Sequence, residues 1–466
     1  MPFSKLGLSN PILNALSELN YTAPTPIQQQ AIPAILAGKD LLAGAQTGTG
    51  KTASFVLPLL QQFQGLPPIR PKRIRALILT PTRELAIQVE ASIALYGKYL
   101  SVRSMAMYGG VDIAPQKQRL IEGVDILVAT PGRLLDLYGQ RAVHFDQVST
   151  LVLDEADRML DMGFIEAINK IITRLPEERQ NLLFSATLSP QVRFLAKTAI
   201  QNPLEISIDS QQTSAAAINQ WLTTVDKDKK SALLSHLIKG QNWQQALIFI
   251  QTKHGAAKLV SQLAKRDISA EAFHSGRSQA AREQLLADFK AGKLQFLVAT
   301  GVASRGIDIQ ELSRVVNYDL PDQADEYIHR IGRTGRAGNT GEAISFVSKD
   351  DFRNLCAIES RLGHIIERKE FAEFLPKKTV PISILNYQPK SKPHSANKAS
   401  GKPRDKSSTT SQQNAFVKPT AKDEQTRNKQ VPNNKPKPKI AKEQPSKESS
   451  SSTEHPSNPW LSGKYR

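Results

Sequence analysis

Two short stretches of this chain carry side chains whose types and spacing suit work on a phosphate. The first is Ala45-Gln46-Thr47-Gly48-Thr49-Gly50-Lys51-Thr52. It has the form of a P-loop, with Ala45 standing where the general pattern carries its first glycine. Gly48 and Gly50 let backbone N–H groups turn toward phosphate oxygens, and a helix expected to begin near Lys51 adds the positive end of its dipole. Lys51 offsets charge at the β- and γ-phosphates, and Thr52 can ligate Mg²⁺. The second stretch, Leu151-Val152-Leu153-Asp154-Glu155-Ala156-Asp157, ends an apolar run in acids, the place where ligands of open parallel sheets gather. Asp154 is suited to hold Mg²⁺, and Glu155 to polarise a water attacking the γ-phosphate. Either carboxylate alone would read as a helix N-cap; the P-loop upstream favours the metal and water roles.

Both stretches need strands to aim them, and the chain supplies a matching rhythm. The runs ALILT (76–80), DILVAT (125–130), LVLD (151–154) and LLFSAT (182–187) alternate with helical-period stretches. After a pause at SIDSQQTSAAA (207–217) the rhythm restarts with ALIFIQT (246–252), FLVAT (296–300), RVVNYDL (314–320) and EAISFV (342–347). Buried parallel strands alternating with helices give an α/β class. The expected domains are residues 1–207, a short polar linker at 208–217, and a second α/β unit at 218–380.

The 466 residues carry a net charge of +18 and a pI near 9.8, which makes a polyanion the first partner to consider; charge alone does not choose among RNA, DNA and anionic lipid. Most of the excess lies in 381–466, where Lys and Arg exceed Asp and Glu by 11. That segment is rich in Ser, Pro, Lys, Gln and Asn and has too little apolar surface to offset chain entropy, so it is expected to be a disordered basic tail. The single Cys356 excludes an internal disulfide framework and a cysteine-cluster zinc site. No apolar run approaches a membrane span and the first ten residues lack a signal-peptide core, so a cytoplasmic protein is expected.

Asp154-Glu155-Ala156-Asp157 spells DEAD, and with residues 45–52 it resembles the DEAD-box ATP-dependent RNA helicases of superfamily 2. The resemblance covers roughly residues 3–350 and implies two tandem RecA-like parallel-sheet domains. Phe3 and the segment Tyr21 to Gln28 resemble the Q motif, which implies that Gln28 reads the adenine edge and Phe3 packs on the base; a side-chain amide can both accept and donate there. Pro81-Thr82-Arg83, Gly109-Gly110 and Thr130-Pro131-Gly132-Arg133 resemble the first-domain RNA motifs. Their hydroxyls, amides and guanidinium groups suit sugar–phosphate contacts without base specificity. Ser185-Ala186-Thr187 resembles the motif coupling ATP turnover to strand separation, with hydroxyls that could bond Asp157.

In the second half, Ala299-Thr300-Gly301 through Asp308, and His329-Arg330-Ile331-Gly332-Arg333-Thr334-Gly335-Arg336, resemble motifs V and VI. The resemblance implies that Asp308 contacts the ribose, Thr300 the RNA, and that Arg333 and Arg336 are arginine fingers on the γ-phosphate; arginine stays charged and offers a fork of donors. His329 and Arg330 fall to coupling, His329 through an inter-domain hydrogen bond. Thr252 after Gln251, and His274-Ser275-Gly276 with Gln279 and Arg282, resemble the remaining RNA and coupling elements. Gly301 stands at a position often acidic in the family and is given no catalytic task.

The implied cofactors are ATP and Mg²⁺, and the implied partner is RNA, bound by a monomer with little sequence specificity in the core. The implied activity is RNA-dependent ATP hydrolysis with local unwinding of short duplexes or remodelling of RNA–protein complexes. Within the family the opening segment and the basic tail look most like the bacterial RhlE type, for which ribosome assembly and RNA turnover are the settings. The tail reads as an RNA tether or equally as a solubilising linker. A DNA-directed motor and a noncatalytic RNA-binding chaperone are the rivals.

Overall fold

A computed structural model describes residues 2–385 apart from positions 46–47, 201, 209–217, 302–311 and 336–340. Gln46, Thr47, Asp308 and Arg336, the linker beyond 208 and the tail beyond 385 lie outside the described residues.

The first sheet is built from β1 (Leu41–Gly44), β2 (Ala76–Leu79), β3 (Ser104–Met107), β4 (Ile126–Ala129), β5 (Thr150–Leu153), β6 (Gln180–Ser185) and β7 (Leu204–Ser207). The second holds β8 (Ile218–Thr224), β9 (Ala246–Ile250), β10 (Ala270–Phe273), β11 (Phe296–Thr300), β12 (Arg314–Asn317), β13 (Gly341–Val347) and β14 (Glu367–Arg368). Their orders are β3-β4-β2-β5-β6-β1-β7 and β10-β11-β9-β12-β13-β8-β14. Every strand pair is parallel. These are two seven-stranded RecA-like domains.

Alternation along each strand fills both faces of each sheet. Ala76 and Ile78 join one apolar cluster while Leu77 and Leu79 join the other. In the second domain Ala246, Ile248 and Ile250 face one side, Leu247 and Phe249 the opposite one. Strands buried on both faces read as continuous apolar runs, because helices cover both sides. All eight runs singled out from the sequence are strands, but most stop short of the expected ends. Thr80, Thr130, Asp154, Thr187 and Thr252 lie just past a final ladder residue, in turns or at helix starts. The short strands β1, β3 and β10, with their Ala, Gly, Ser and Met content, carry too weak a pattern to be read from sequence.

The packed chain continues past Val380: Ser383 is buried and its hydroxyl donates to Glu359. No helix among the described residues is long and apolar enough to cross a membrane.

Candidate functional site

Parallel pairing brings the carboxyl ends of all strands in a sheet to one edge, and the candidate residues gather there. At the end of β1, Ala45 N–H donates to Ser185 O at 3.0 Å, tying the phosphate loop to the end of β6. Gly48 and Gly50 have φ of +84° and +90°, conformations that side-chain-bearing residues rarely adopt. Gly50 caps the helix Lys51–Phe63, whose first residue is buried. Lys51 Nζ is buried with no hydrogen-bond partner among the described residues. A buried ammonium left so costs several kcal/mol, and an anion at this helix start would satisfy it.

Gln28 adjoins this loop. Its Oε1 accepts from Thr25 N at 2.9 Å and its Nε2 donates to Gly50 O at 3.2 Å. The glutamine therefore caps its own helix Pro26–Leu36 and braces the phosphate loop, which leaves one lone pair and one N–H of its amide for a base edge. Phe3 is only 6% exposed and packs in the core cluster with Leu6, Ile12 and Ile35.

Asp154 follows β5, its N–H bonded to Leu79 O at 3.0 Å. Burial is the chief cause that raises its carboxyl from the ordinary aspartate value to about 7, with Glu155 adding to the rise and Lys51 opposing it. Glu155 sits at the N-cap position of the helix Ala156–Asp161, yet its side chain makes no capping bond. Its backbone is left-handed at φ +52°, a strain of roughly 1–3 kcal/mol of the kind found at functional sites. Glu155 Oε2 is buried and has no hydrogen-bond partner among the described residues. An unmet ammonium, an unmet carboxylate oxygen and a near-neutral buried carboxyl fit a nucleotide phosphate with a divalent cation. Thr52 and Asp154 are the residues that would hold that cation.

Asp157 ties the acidic segment to the end of β6. Its Oδ2 accepts from Thr187 N at 3.0 Å and Thr187 Oγ1 at 3.1 Å, and Asp157 N donates to Ser185 Oγ at 3.4 Å. The same Oδ2 lies 3.9 Å from Nε2 of His329 in the second domain, farther than a hydrogen bond. A second bridge joins the domains at Glu84: its Oε1 pairs with Arg282 Nη2 at 2.9 Å and accepts from Gln279 Nε2 at 3.4 Å. Both Glu84 and Arg282 are almost fully buried, and Arg282 also lies over the Phe273 ring at 4.9 Å. Burial lowers the Arg282 guanidinium below its usual value while Glu84 pulls it back up.

The candidate RNA residues line the same edges. Thr82 and Thr252 are helix N-caps whose hydroxyl oxygens accept from Leu85 N at 3.3 Å and Gly255 N at 3.0 Å, so each O–H remains able to donate to a phosphate. Thr130 caps the helix Pro131–Gly139. Arg133 Nη2 donates to Val111 O at 2.9 Å, and its Nη1 is buried without a hydrogen-bond partner. Gly109 and Gly110 follow β3; a Cβ at Gly110, where φ is +79°, would collide with the Arg83 guanidinium lying on that backbone. Pro81 is buried and Gly132 exposed. In the second domain Thr300 ends β11, Gly276 N donates to His274 Nδ1 at 3.2 Å, and Arg333 is buried after the helix Ala324–Ile331. Arg330 hydrogen-bonds Glu326, Asn317 and Asp319 of its own domain.

Two groups have a charge environment that the sequence does not show. Burial, then the nearby cations Arg277, Lys253 and Arg282, hold His274 below the usual imidazole value, which marks a basic surface at the end of β10. Tyr108, pushed up first by burial and then by Glu283 and Glu84, stands near the Glu84 bridge. The available signal was position: these residues follow strand ends or open the next helix.

Two family models match this chain: DEAD/DEAH box helicase over residues 25–195 and helicase conserved C-terminal domain over 228–338. ATP-dependent RNA helicase DbpA of Bacillus subtilis is 41% identical over 393 residues, spanning 84% of this chain and 81% of that protein. ATP-dependent RNA helicase CshA of Listeria monocytogenes is 42% identical over 357 residues, spanning 77% and 68%. The solved structure of Saccharomyces cerevisiae Dbp5 bound to RNA and ADP BeF3 is similar at a TM-score of 0.70 and 32% identity, covering 79% of this chain and 95% of that one.

The Asp154 environment carries a pH signature. A carboxyl raised to about 7 binds a proton in the folded state that the unfolded chain has already lost, so its contribution falls as pH rises from about 4 to about 7, by up to about 4 kcal/mol. Without nucleotide or metal, wild type should lose more stability between pH 5 and pH 8 than Asp154→Asn, as read from denaturant midpoints. Equal losses in the two proteins would contradict this environment.

Proposed function

This chain belongs to the DEAD-box family of ATP-dependent RNA helicases, and we propose that it couples ATP hydrolysis to local opening of short RNA duplexes, or to remodelling of RNA–protein complexes, through closure of its two domains. The observation that carries the reading is the pair of buried polar atoms, Lys51 Nζ and Glu155 Oε2, without a hydrogen-bond partner among the described residues, in a domain bridged to its neighbour at Asp157–His329 and Glu84–Arg282.

In this reading ATP enters the loop 45–52, with Gln28 on the adenine, Phe3 beside it and Asp308 on the ribose. Lys51 meets the β- and γ-phosphates. Thr52 and Asp154 would hold Mg²⁺, which would supply neutralisation of phosphate charge. Glu155 orients a water and takes its proton as oxygen bonds to the γ-phosphorus, and ADP leaves with the bridging oxygen. Arg333 and Arg336 stabilise the charge that spreads over the γ-phosphoryl oxygens. RNA backbone lies across Pro81 to Arg83, Gly109-Gly110 and Thr130 to Arg133 of the first domain and Thr252, Gly276 and Thr300 of the second. Asp157, Ser185, Thr187, His329 and Arg330 pass the state of one site to the other.

The similarity to Dbp5 solved with RNA and ADP BeF3 supports RNA as the activator. Ribosome assembly and RNA turnover in the cytoplasm are the proposed settings. The RhlE-type reading rests on the opening segment and basic tail, while the relatives named above carry DbpA and CshA names. The core chemistry proposed here is the same under either subtype.

Steady-state ATP hydrolysis with no nucleic acid, single-stranded RNA, duplex RNA and matched DNA tests the reading. RNA alone should stimulate strongly, and Lys51→Ala and Glu155→Gln should each lower the stimulated rate by at least about 100-fold. Equal stimulation by DNA would favour a DNA-directed motor, and full activity of Glu155→Gln would refute the proposed water activation. Removing 386–466 should raise the RNA concentration for half-maximal rate and flatten its salt dependence. Unchanged values for the shortened chain would remove the tether role.

A further inference from the structure

Around Arg330, at the carboxyl edge of the second sheet, runs a line of polar groups of which Glu326, Asn317 and Asp319 have no task in the scheme above. Glu326 stands in the first turn of the helix Ala324–Ile331 and is 9% exposed. Its Oε1 accepts from Arg330 Nε at 3.1 Å and from Nη2 at 2.8 Å. Arg330 Nη1 donates to Asp319 O at 2.9 Å and Asn317 Oδ1 at 3.3 Å, and its guanidinium lies 5.0 Å over the Phe249 ring. Asp319 continues the line: its Oδ2 accepts from Gln251 N at 3.0 Å, and its Oδ1 from Lys230 Nζ at 3.3 Å. The groups therefore connect the helix that carries His329 to the loop holding Gln251 and Thr252.

Gly301, directly after Thr300, completes the picture. Its φ is not in the left-handed region, so the backbone itself does not demand glycine. The space does. A Cβ at residue 301 would collide with Glu326 Oε1 and lie 3.4 Å from Arg330 Nη2. The Glu326 carboxylate thus fills the volume that a side chain at 301 would take, and it gives the buried Arg330 its counter-charge. A guanidinium buried without such a partner is strongly unfavourable.

We infer that Glu326 is a positioning residue for the RNA-stimulated reaction: by occupying the space left at Gly301 it holds Arg330, and Arg330 sets the helix bearing His329 against the loops bearing Thr300 and Thr252. This rests on the function proposed above. One carboxylate fits at this place. It can come from residue 326 or from residue 301, and two would crowd and repel.

The test is a reciprocal set: Glu326→Ala, Gly301→Asp and the double variant. The readouts are the RNA concentration for half-maximal ATPase, the stimulated and unstimulated rates, and the melting temperature. Each single variant should need roughly tenfold more RNA or lose a similar factor in stimulated rate, with a smaller change in the unstimulated rate. The double variant should return to within about threefold of wild type, because Gly301→Asp supplies the lost carboxylate from the other side. A wild-type RNA response in Glu326→Ala, or a folded double variant no better than Glu326→Ala, would overturn the inference. Should Glu326→Ala fail to fold, Glu326→Gln keeps the size without the charge and should show the same RNA-specific loss; a normal RNA response there overturns the inference as well. A wild-type protein that RNA does not stimulate refutes the proposed function, whereas a stimulated wild type with indifferent variants refutes this inference alone.

Discussion

Parallel strand pairing is the constraint on which the rest depends. When every strand of a sheet runs the same way, every carboxyl end emerges at one edge, and the residues just past the ladder converge there. In the first domain this sets Ala45, Thr80, Thr130, Asp154 and Thr187 after β1, β2, β4, β5 and β6. In the second it places Gln251, His274 and Gly301 after β9, β10 and β11. Covering helices force the strands themselves to be apolar on both faces, so chemistry is confined to the turns. The left-handed Glu155 and the glycines at 48, 50 and 110 are where those turns bend most sharply.

Charge burial then gives the edges their character. Lys51, Asp154 and Glu155 are held out of water with incomplete local compensation, an arrangement that a nucleotide phosphate and cation would relieve. Glu84 and Arg282 compensate each other across the two domains, where Asp157 and His329 also approach to 3.9 Å. Breaking such a buried pair leaves charges exposed to desolvation cost. The proposed mechanism uses this directly: ligands that draw the domains together would favour the arrangement in which these groups meet across the two domains.

Much of this was legible in the amino-acid order. Runs such as ALILT and ALIFIQT announce buried strands because both faces are covered, and DEAD after LVL announces acids at a strand end. The expected Asp157–Thr187 hydrogen bond is present. The rest depends on distant chain segments meeting. The resemblance implies that Gln28 reads the adenine, and the structure has it capping its own helix while part of its amide stays available. His329, expected to link the domains, has its Nε2 3.9 Å from Asp157 Oδ2 of the first domain. Glu326 was invisible because its role is defined by what residue 301 lacks, and spacing along one helix does not reveal an emptied volume on another strand.

The central claim is that RNA and ATP favour one and the same closed arrangement of the two domains. The most direct measurement is the equilibrium affinity of the full chain for a fluorescent single-stranded RNA, with a nonhydrolysable ATP analogue and with ADP at saturating Mg²⁺. The account predicts tighter binding with the ATP analogue by about 5–150-fold, the range of a coupling free energy of about 1–3 kcal/mol, with the same factor recovered when analogue binding is measured in the presence of RNA. Equal RNA affinity in the two nucleotide states would contradict it.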